Sequence, residues 1–550
     1  MKQTKTFYLL AFFLLHATYC FKAQDLSLKI TSTQKEDLKT IGKIEYQKTH
    51  KDTTSIFNEI KTISEYLKEI GYFTNTIDSV SKKNSHYTAY LTLNTKIKQA
   101  VIKIEKTTLS ILKDFNIIGD SIFISINNLK STLLNISDVL DTNGKSFSKV
   151  QLKNIQIKKD VLYADLDIHP SKKRIINKII VKGYEGFPKS FLKNYYTIKK
   201  NTLFNQKKIN DISNATKDLE FIKEIKPPEV LFTKDSTLIY MYLKKVQNNS
   251  FDGIVNFVSD EEGKVLFNGN LDLTLNNVLN TGEKFGLFWN SIGNERQEFK
   301  INTEIPYIFN SRFSTGISFS IYKQDSTFLN TKFDTKLSYN INTRIKIAAT
   351  YNSESSEKLE ALINDNTETF NNYFFGFQFN YNIPKNDAFY NNKFSFDINP
   401  AFGVRKLENN TTNQIKIQSS VSYIWDLNQR HSFYIKNTSG LLSSNSYLDN
   451  EIFRLGGANS LRGFNEQSIF TKNFTYFNLE YRYLTSNTSY FYSIIDYGIL
   501  KDYKLLGLGL GYRFKKNNSI FNLNTVIGNS LNDSFKLKNP QLNINWKTFF

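Results

Sequence analysis

The chain is 550 residues long, enough for several domains of ordinary size, and carries 71 basic against 51 acidic residues, a net charge of +20. Its one cysteine, Cys20, stands close to the N-terminus, so disulfides, thiol nucleophiles and cysteine metal sites are excluded from the rest of the chain. None of the histidines His16, His50, His86, His169 and His431 stands at metal-ligand spacing.

The N-terminus reads MKQTKTFYLLAFFLLHATYCFKAQ. Lys2 and Lys5 form a charged head, Phe7–Tyr19 an apolar segment, and Ala23 a small residue suited to cleavage. Residues 1–23 are predicted to be a secretory signal peptide, because the segment is too short for a spanning helix and for the alternative of a retained anchor. Tyr19 argues against lipidation at Cys20. No later stretch approaches the ~20 apolar residues that a spanning helix needs. An exported chain without such helices is either soluble or a barrel.

Charge is unevenly placed. Residues 24–249 hold 38 basic and 24 acidic residues, and residues 250–550 hold 30 and 27. For an exported chain nucleic acid is a poor partner; an anionic membrane surface or an acidic client fits better, with a plain lysine-rich solvated surface as the alternative.

Residues 171–247 show the clearest local order. RIINKIIVKGY reads as a strand, ended by Gly183. PKSFLKNYYTIKKNTLFN begins on Pro188 and spaces Phe191, Leu192, Tyr195 and Ile198 as a helix. QKKINDISNATKDLEFIKEI is predicted to be a second helix, stopped by Pro227-Pro228, and EVLFT and TLIYMYLKKV then alternate as two strands. The order is β-α-α-β-β. Weaker versions precede it. One is a helix SIFNEIKTISEYLKEIGYF before the strands TIDSV and YTAYLTLNT. The other is AVIKIE, a helical NNLKSTLLNISDVL, and the pair KVQLKNIQIKK and VLYADLDI. Repetition at this period signals an array of like units. The unit, with its LKEIGYF followed by two strands, resembles the periplasmic POTRA domain. This divides the chain into POTRA-like domains at 24–98 (degenerate), 99–170 and 171–247.

From Phe251 onward, alternating segments of about ten residues replace the helical signal. Examples are KVLFNGNLDLTL, EKFGLFWNSI, RFSTGISFSIY, YFFGFQFNYN, KFSFDIN, QIKIQSSVSYIW, FTYFNLEYRYL, SIFNLNTVI and QLNINWKTFF. One phase is aromatic or aliphatic and the other polar. A soluble sandwich would bury its apolar face, whereas a membrane barrel turns that face to lipid and keeps a polar lumen. With 46 Phe and 31 Tyr in the chain, residues 248–550 are predicted to form an all-β antiparallel transmembrane barrel of roughly 16 strands, an even number as closure requires. Pro306 and Pro384 are placed in turns, and Pro400 inside a strand strains the count. Links 353–368, 406–414 and 441–470 are expected to be the long ones, all at one end. The last strand ends on Trp546 and Phe550, which resembles the terminal recognition signal of outer-membrane barrels.

The segment FRLGGANSLRGFNEQSIF, residues 453–470, falls between strands 11 and 12. Gly456-Gly457 allows a sharp backbone path. With the POTRA-like units, the tetrad Leu461-Arg462-Gly463-Phe464 resembles the BamA/TamA family of outer-membrane assembly and translocation barrels. Glu480 in NLEYRY, Asp496 and Gly498 in IIDYG, and the alternate glycines Gly507, Gly509 and Gly511 in GLGLGYRF agree with it. The resemblance implies that the loop folds into the lumen and that Arg462 meets acids there. Glu480 shares the phase of Asn478 and Arg482, opposite Phe477, Leu479, Tyr481 and Tyr483, and an arginine fork matches a carboxylate bidentately. Gly498, Gly507, Gly509 and Gly511 would smooth the inner wall.

The family implies insertion or translocation of unfolded outer-membrane protein clients, taken up by POTRA edges and released through a seam between the first strand (251–259) and the last (541–550). Assembly lipoproteins or an inner-membrane-anchored periplasmic bridge protein are the further partners it implies, together with outer-membrane lipid. A TamA-like role in lipid transport or a two-partner-secretion-type pore are the alternatives; a passive pore or adhesin predicts neither the repeats nor the docked loop. G-x-S-x-G and H-E-x-x-H are lacking, and NGKS at 143–146 has Val139 where a phosphate loop needs glycine. No enzyme activity, metal or cofactor is expected.

Overall fold

The computed structural model describes residues 25–550 apart from 107, 110, 111, 113, 114, 235, 260–264, 293–295, 360–365, 390, 502 and 532–539, with backbone alone at 255–259, 265–268 and 292. The predicted signal peptide, with Cys20, lies outside the described residues. The chain divides into two compact units, residues 1–175 with 203–206, and residues 176–202 with 207–550.

The first unit holds two α/β sheets. In the first, β1 (Leu26–Thr31), α1 (Lys35–Ile41), β2 (Thr49–His50), α2 (Thr53–Glu69), β3 (Thr76–Lys83) and β4 (His86–Thr92) make a sheet of order β2-β1-β4-β3. Residues 25–52, for which the sequence reading named no element, thus supply two strands and a helix. Asp52 caps α2 by accepting the Ser55 N–H at 2.7 Å. Ile56, Ile60, Ile63 and Leu67 fall on one face of α2 and pack on Leu28, Ile30, Ala89 and Leu91 of the sheet. The second sheet, of order β6-β7-β5-β9-β8, is built from β5 (Gln99–Ile104), β6 (Ile117–Ile118), β7 (Ser121–Ser125), β8 (Lys149–Lys158) and β9 (Val161–His169), with α3 (Leu129–Thr142) between β7 and β8. Ile136 and Leu140 of α3 join Ile102, Leu162 and Leu166 in its core.

The second unit begins with a third small sheet of β10 (Lys178–Lys182), β11 (Ile222–Phe232) and β12 (Thr237–Lys245), with α4 (Lys189–Asn194) and α5 (Gln206–Lys217). The order is β-α-α-β-β, but two boundaries differ from the sequence reading. The first helix ends at Asn194, and the second ends at Lys217 instead of running to the prolines. Pro227-Pro228 lie inside β11, where the register on β12 shifts between Lys226 and Glu229. β11 is an edge of the order β10-β12-β11, and an edge strand at a bulge tolerates residues that lack an N–H.

The rest of this unit is a closed barrel of sixteen strands. They are β13 (Ser250–Ser259), β14 (Val265–Asn276), β15 (Lys284–Ile292), β16 (Arg296–Ile305), β17 (Phe313–Gln324), β18 (Phe328–Asn340), β19 (Ile345–Lys358), β20 (Phe370–Pro384), β21 (Asn392–Lys406), β22 (Thr411–Asp426), β23 (His431–Ser444), then, past a short hairpin of β24 (Phe453–Leu455) and β25 (Ile469–Thr471), β26 (Asn473–Ser486), β27 (Ser489–Leu500), β28 (Lys504–Lys516), β29 (Ser519–Ser530) and β30 (Gln541–Phe549). Every barrel pair is antiparallel, and β13 closes on β30 in register from Ser250↔Phe549 to Phe257↔Leu542. Phe375, Phe377, Phe402, Trp425 and Leu510 face outward and are exposed, while Asn330, Glu354, Asn478, Asp496 and Asn543 are buried inside. A polar interior within an apolar outer band is the pattern of a barrel that sits in lipid.

Three details depart from the sequence reading. The links expected at 353–368 and 406–414 are shorter, because β19 continues to Lys358 and β22 already starts at Thr411. Pro384 ends β20 at a register irregularity and does not sit in a turn. Pro400 does lie within β21: it pairs with Ile417 on one side, but the β20–β21 register skips from Gly376↔Ala401 to Phe379↔Ile398 beside it. A residue without an N–H cannot complete a ladder on both sides.

The third small domain packs on the barrel end that carries turns 277–283 and 306–312. Phe191 stacks edge-on against Tyr307, with ring centroids 4.9 Å apart, and the Tyr184 hydroxyl donates to Asn280 Oδ1 at 2.6 Å. Link 445–472 leaves from the opposite end.

Candidate functional site

Link 445–472 does not project away from the barrel. Its residues touch β16, β17, β21, β26, β27 and β30, and a loop that reaches strands all around a closed barrel lies inside it. β24 and β25 pair Phe453↔Thr471 to Leu455↔Ile469 and pinch off residues 456–468 as a knot. Within the knot the Gly457 N–H donates to the carbonyls of Leu461 (3.2 Å) and Phe464 (3.0 Å). Gly457 has φ +98°, and a β-carbon there would meet the Glu466 carboxylate, so the position admits only glycine. Gly456 precedes it, its N–H donating to Ser460 Oγ at 2.8 Å.

The knot presents Arg462 to the wall. Arg462 Nε and Nη2 donate to the two Asp496 oxygens at 2.8 and 2.6 Å, and its backbone N–H donates to the same carboxylate at 2.9 Å. Nη1 donates to Glu480 at 2.6 Å. Arg482 holds the other Glu480 oxygen, Nε donating at 2.9 Å, and lies over the Tyr434 ring at 4.3 Å. Two arginines and two carboxylates therefore neutralise one another, and Asp496 is fully buried. Burial by itself would lower the Arg462 pKa, but the hydrogen bonds and charges of Asp496 and Glu480 outweigh it and raise it, so the guanidinium is permanently charged.

Gly463 (φ +90°) lets the loop backbone touch the wall: a β-carbon there would fall 2.6 Å from the Gly528 nitrogen on β29. Gly507 lies under the Arg462 carbonyl, and Gly498 under the Leu461 side chain. Gly509 faces the Thr525 carbonyl and Gly511 the Tyr492 ring, so these two adjoin the wall's own atoms and not the loop. Leu461 is fully buried in a cluster with Leu455, Tyr476, Leu500 and Leu505, and Phe464 packs against it. At the other end of the chain, the Trp546 ring lies over Gly253 of β13. Phe550 is half exposed, and its N–H donates to the Asn249 carbonyl at 2.9 Å.

Several contacts of the loop were not foreseen from sequence. Arg405 of β21, 1 % exposed, pairs with Glu451, whose carboxylate also accepts from Gln414 Nε2 and the Leu448 N–H, both at 3.0 Å. Asn450 donates to Ser356 Oγ at 2.7 Å. Arg454 lies 3.5 Å over the Tyr322 ring, Gln467 donates to Glu298 at 2.8 Å, and the Gln541 amide donates to the Phe464 carbonyl at 3.2 Å and accepts from the Asn465 N–H at 3.3 Å. Glu466 is tucked under the knot with one bond, from the Ala458 N–H at 3.2 Å. Burial, reinforced by Glu298, pushes its carboxyl up to about 7. The inward phase of Arg405 and a glycine at 528 inside a strand were the available signals, but no linear spacing ties either to the loop. Among the described residues no cluster of His, Cys, Asp and Glu could hold a metal ion.

No protein-family model matches the chain, and no curated protein matches it. Solved structures do. CdiB from Acinetobacter baumannii is 15 % identical over 89 % of this chain and 97 % of its own, with a TM-score of 0.54. CdiB from Escherichia coli is 13 % identical over 89 % and 98 %, with a TM-score of 0.52. BamA from Haemophilus ducreyi lacking POTRA domains 1–3 is 14 % identical over 83 % and 100 %, with a TM-score of 0.47. The likeness to the CdiB chains is one of fold: small α/β sheets followed by a closed antiparallel barrel of sixteen strands.

Proposed function

We propose that this protein sits in the outer membrane of a Gram-negative cell and inserts or translocates client proteins there. In this reading residues 24–98, 99–170 and 171–247 are three POTRA-like domains on the periplasmic side, and 248–550 is the membrane barrel. The observation that carries it is the lumen loop pinned by Arg462 to Asp496 and Glu480, on strands that lead directly to the β30–β13 closure. A simple pore has no use for a buried ion-pair network holding a folded loop across its lumen, whereas a barrel that must open beside its last strand needs that wall kept rigid. Clients would be unfolded proteins that add an extended segment to a sheet edge, and assembly lipoproteins or an inner-membrane-anchored bridge protein would be further partners. The chemistry required is binding and strand exchange, with no catalytic group.

The likeness to the CdiB chains favours a second reading, a secretion pore for one partner protein. Depletion of the protein followed by analysis of outer membrane and medium separates the two. Loss of many folded barrels from the membrane supports insertion, and loss of one large secreted protein supports the pore. Unchanged profiles with altered lipid distribution between the membranes would favour lipid transport and overturn both.

A further inference from the structure

Turn 306–312, on the small-domain end of the barrel, combines an exposed aromatic side chain with left-handed backbone. Phe309 is 97 % exposed, the most exposed large apolar side chain among the described residues. It also sits in the left-handed region, φ 51° and ψ 29°, with Tyr307 (φ 55°) and Asn310 (φ 53°) beside it. Left-handed backbone is strained for an aromatic residue, and two such residues in one turn persist only where surrounding structure holds them. Here it does. Tyr307 is buried against Phe191, its N–H donates to Ser314 Oγ at 3.3 Å, and Asn310 accepts from Lys193 Nζ (3.3 Å) and Asn194 Nδ2 (3.4 Å) of α4. The turn is thus stapled to the third small domain with its phenylalanine turned out.

What covers Phe309 follows from its neighbours. Ile305 and Phe313, on the strands either side, face outward, and Phe313 meets Tyr339 edge-on with centroids 5.3 Å apart. These residues end the apolar outer band at this rim, and the exposed Phe309 stands in the turn just past it. Lys193 Nζ on the Asn310 carbonyl and Arg312 Nη1 on the Ile341 carbonyl, both at 3.3 Å, put two cations on the same rim. An aromatic ring flanked by cations at the edge of an apolar band suits the headgroup level of a bilayer.

We propose that Phe309 is a membrane-interface anchor on the small-domain side, with Lys193 and Arg312 meeting anionic lipid headgroups, and that it ties the third small domain to the membrane surface. The inference rests on the barrel spanning a membrane. The test uses the full chain in a Cys20→Ala background, with Phe309→Cys carrying an environment-sensitive fluorophore, in vesicles of phosphatidylethanolamine and phosphatidylglycerol. The expected result is blue-shifted emission quenched by brominated lipids, weaker in phosphatidylcholine vesicles and in high salt. A Phe377→Cys probe on the outer band is the control. If Phe377 is quenched by lipid and Phe309 is not, the anchor is overturned while the barrel reading stands; if neither is quenched, the barrel reading itself fails. Protection of Phe309 from an aqueous quencher without lipid quenching would mean protein covers it, which also overturns the proposal. Phe309→Gly takes the left-handed turn without strain and leaves the barrel folded, so a probe at Ile308→Cys in that background should lose its lipid quenching; retained quenching would show the turn held by the domain and not by lipid.

Discussion

Arg462 binds Asp496 through three separate N–H groups, Nε and Nη2 from the side chain and its own backbone amide, at 2.8, 2.6 and 2.9 Å. The carboxylate thereby fixes the loop's main chain as well as its cation. Arg462→Ala would leave Asp496 and Glu480 buried with one fewer cation, at a cost on the order of 3–5 kcal/mol. The barrel ladder does not depend on it, so heat-modifiable migration should persist while proteinase K cleaves 456–468 far faster in intact cells. Arg462→Lys should rescue poorly, because an ammonium cannot serve both acids as a planar fork does. Wild-type cleavage rates in Arg462→Ala would show that the pair does not hold the loop.

The outer half of the same loop has its own anchor. The Arg405 and Glu451 side chains are 1 % and 0 % exposed as a pair, and neither is among the partners of Arg462. Arg405→Ala should expose cleavage sites around 446–450 and leave 456–468 protected, the reverse of Arg462→Ala. Arg405→Ala with Glu451→Ala should be less harmful than the sum of the singles, since removing both charges leaves none stranded. Strict additivity of the opening free energies, measured by protease kinetics, would refute the coupling.

Loop docking should depend on pH through Glu466. Its carboxyl is raised to about 7 in the docked loop, by burial first and Glu298 second, against an ordinary value near 4.5 when the loop is released. The docked state therefore holds the proton that the released state loses, and docking weakens as pH rises from about 5 through 7. Cleavage of 456–468 should accelerate on the order of tenfold to a hundredfold between pH 5 and pH 8, and Glu466→Gln should flatten the profile at its low-pH level. A flat wild-type profile would show that Glu466 is ionised throughout.

The seam between first and last strands can be trapped. Phe251 pairs with Thr548 and Ile254 with Asn545 across β13 and β30, and directly opposed residues have β-carbons roughly 4.5–5.5 Å apart, within disulfide reach. In a Cys20→Ala chain, Phe251→Cys with Thr548→Cys should cross-link under mild oxidation in membranes. If the seam is also the exit for clients, the cross-linked barrel should stop assembling them and recover on reduction. Efficient cross-linking with undiminished client assembly would rule out release at that seam.

Period-two alternation from Phe251 onward carried the barrel, the strand count and the place of the loop between the eleventh and twelfth strands, because lipid outside and polar contacts inside force opposite chemistry on successive residues. The same rule put Glu480 on the inner phase. Helical spacing likewise marked α2, α3 and α5. Local rules failed where tertiary context outweighs them: Pro227-Pro228 reads as a helix stop but lies in a bulged edge strand, and Pro400 reads as a strand breaker but costs only two rungs of a long ladder.

What the tertiary structure alone decided is which distant residues meet. Arg405 and Glu451, Gly463 and Gly528, Glu466 and Glu298, and Phe191 and Tyr307 are far apart in the chain, and no pattern along it joins them. Alternation says which face a residue takes, but only the closed ladder, with its register fixed strand by strand, brings β29 and β16 to the same loop. The partners of a buried charge are set by that closure, because a carboxylate taken out of water is stable only where the fold delivers a cation or a proton to it.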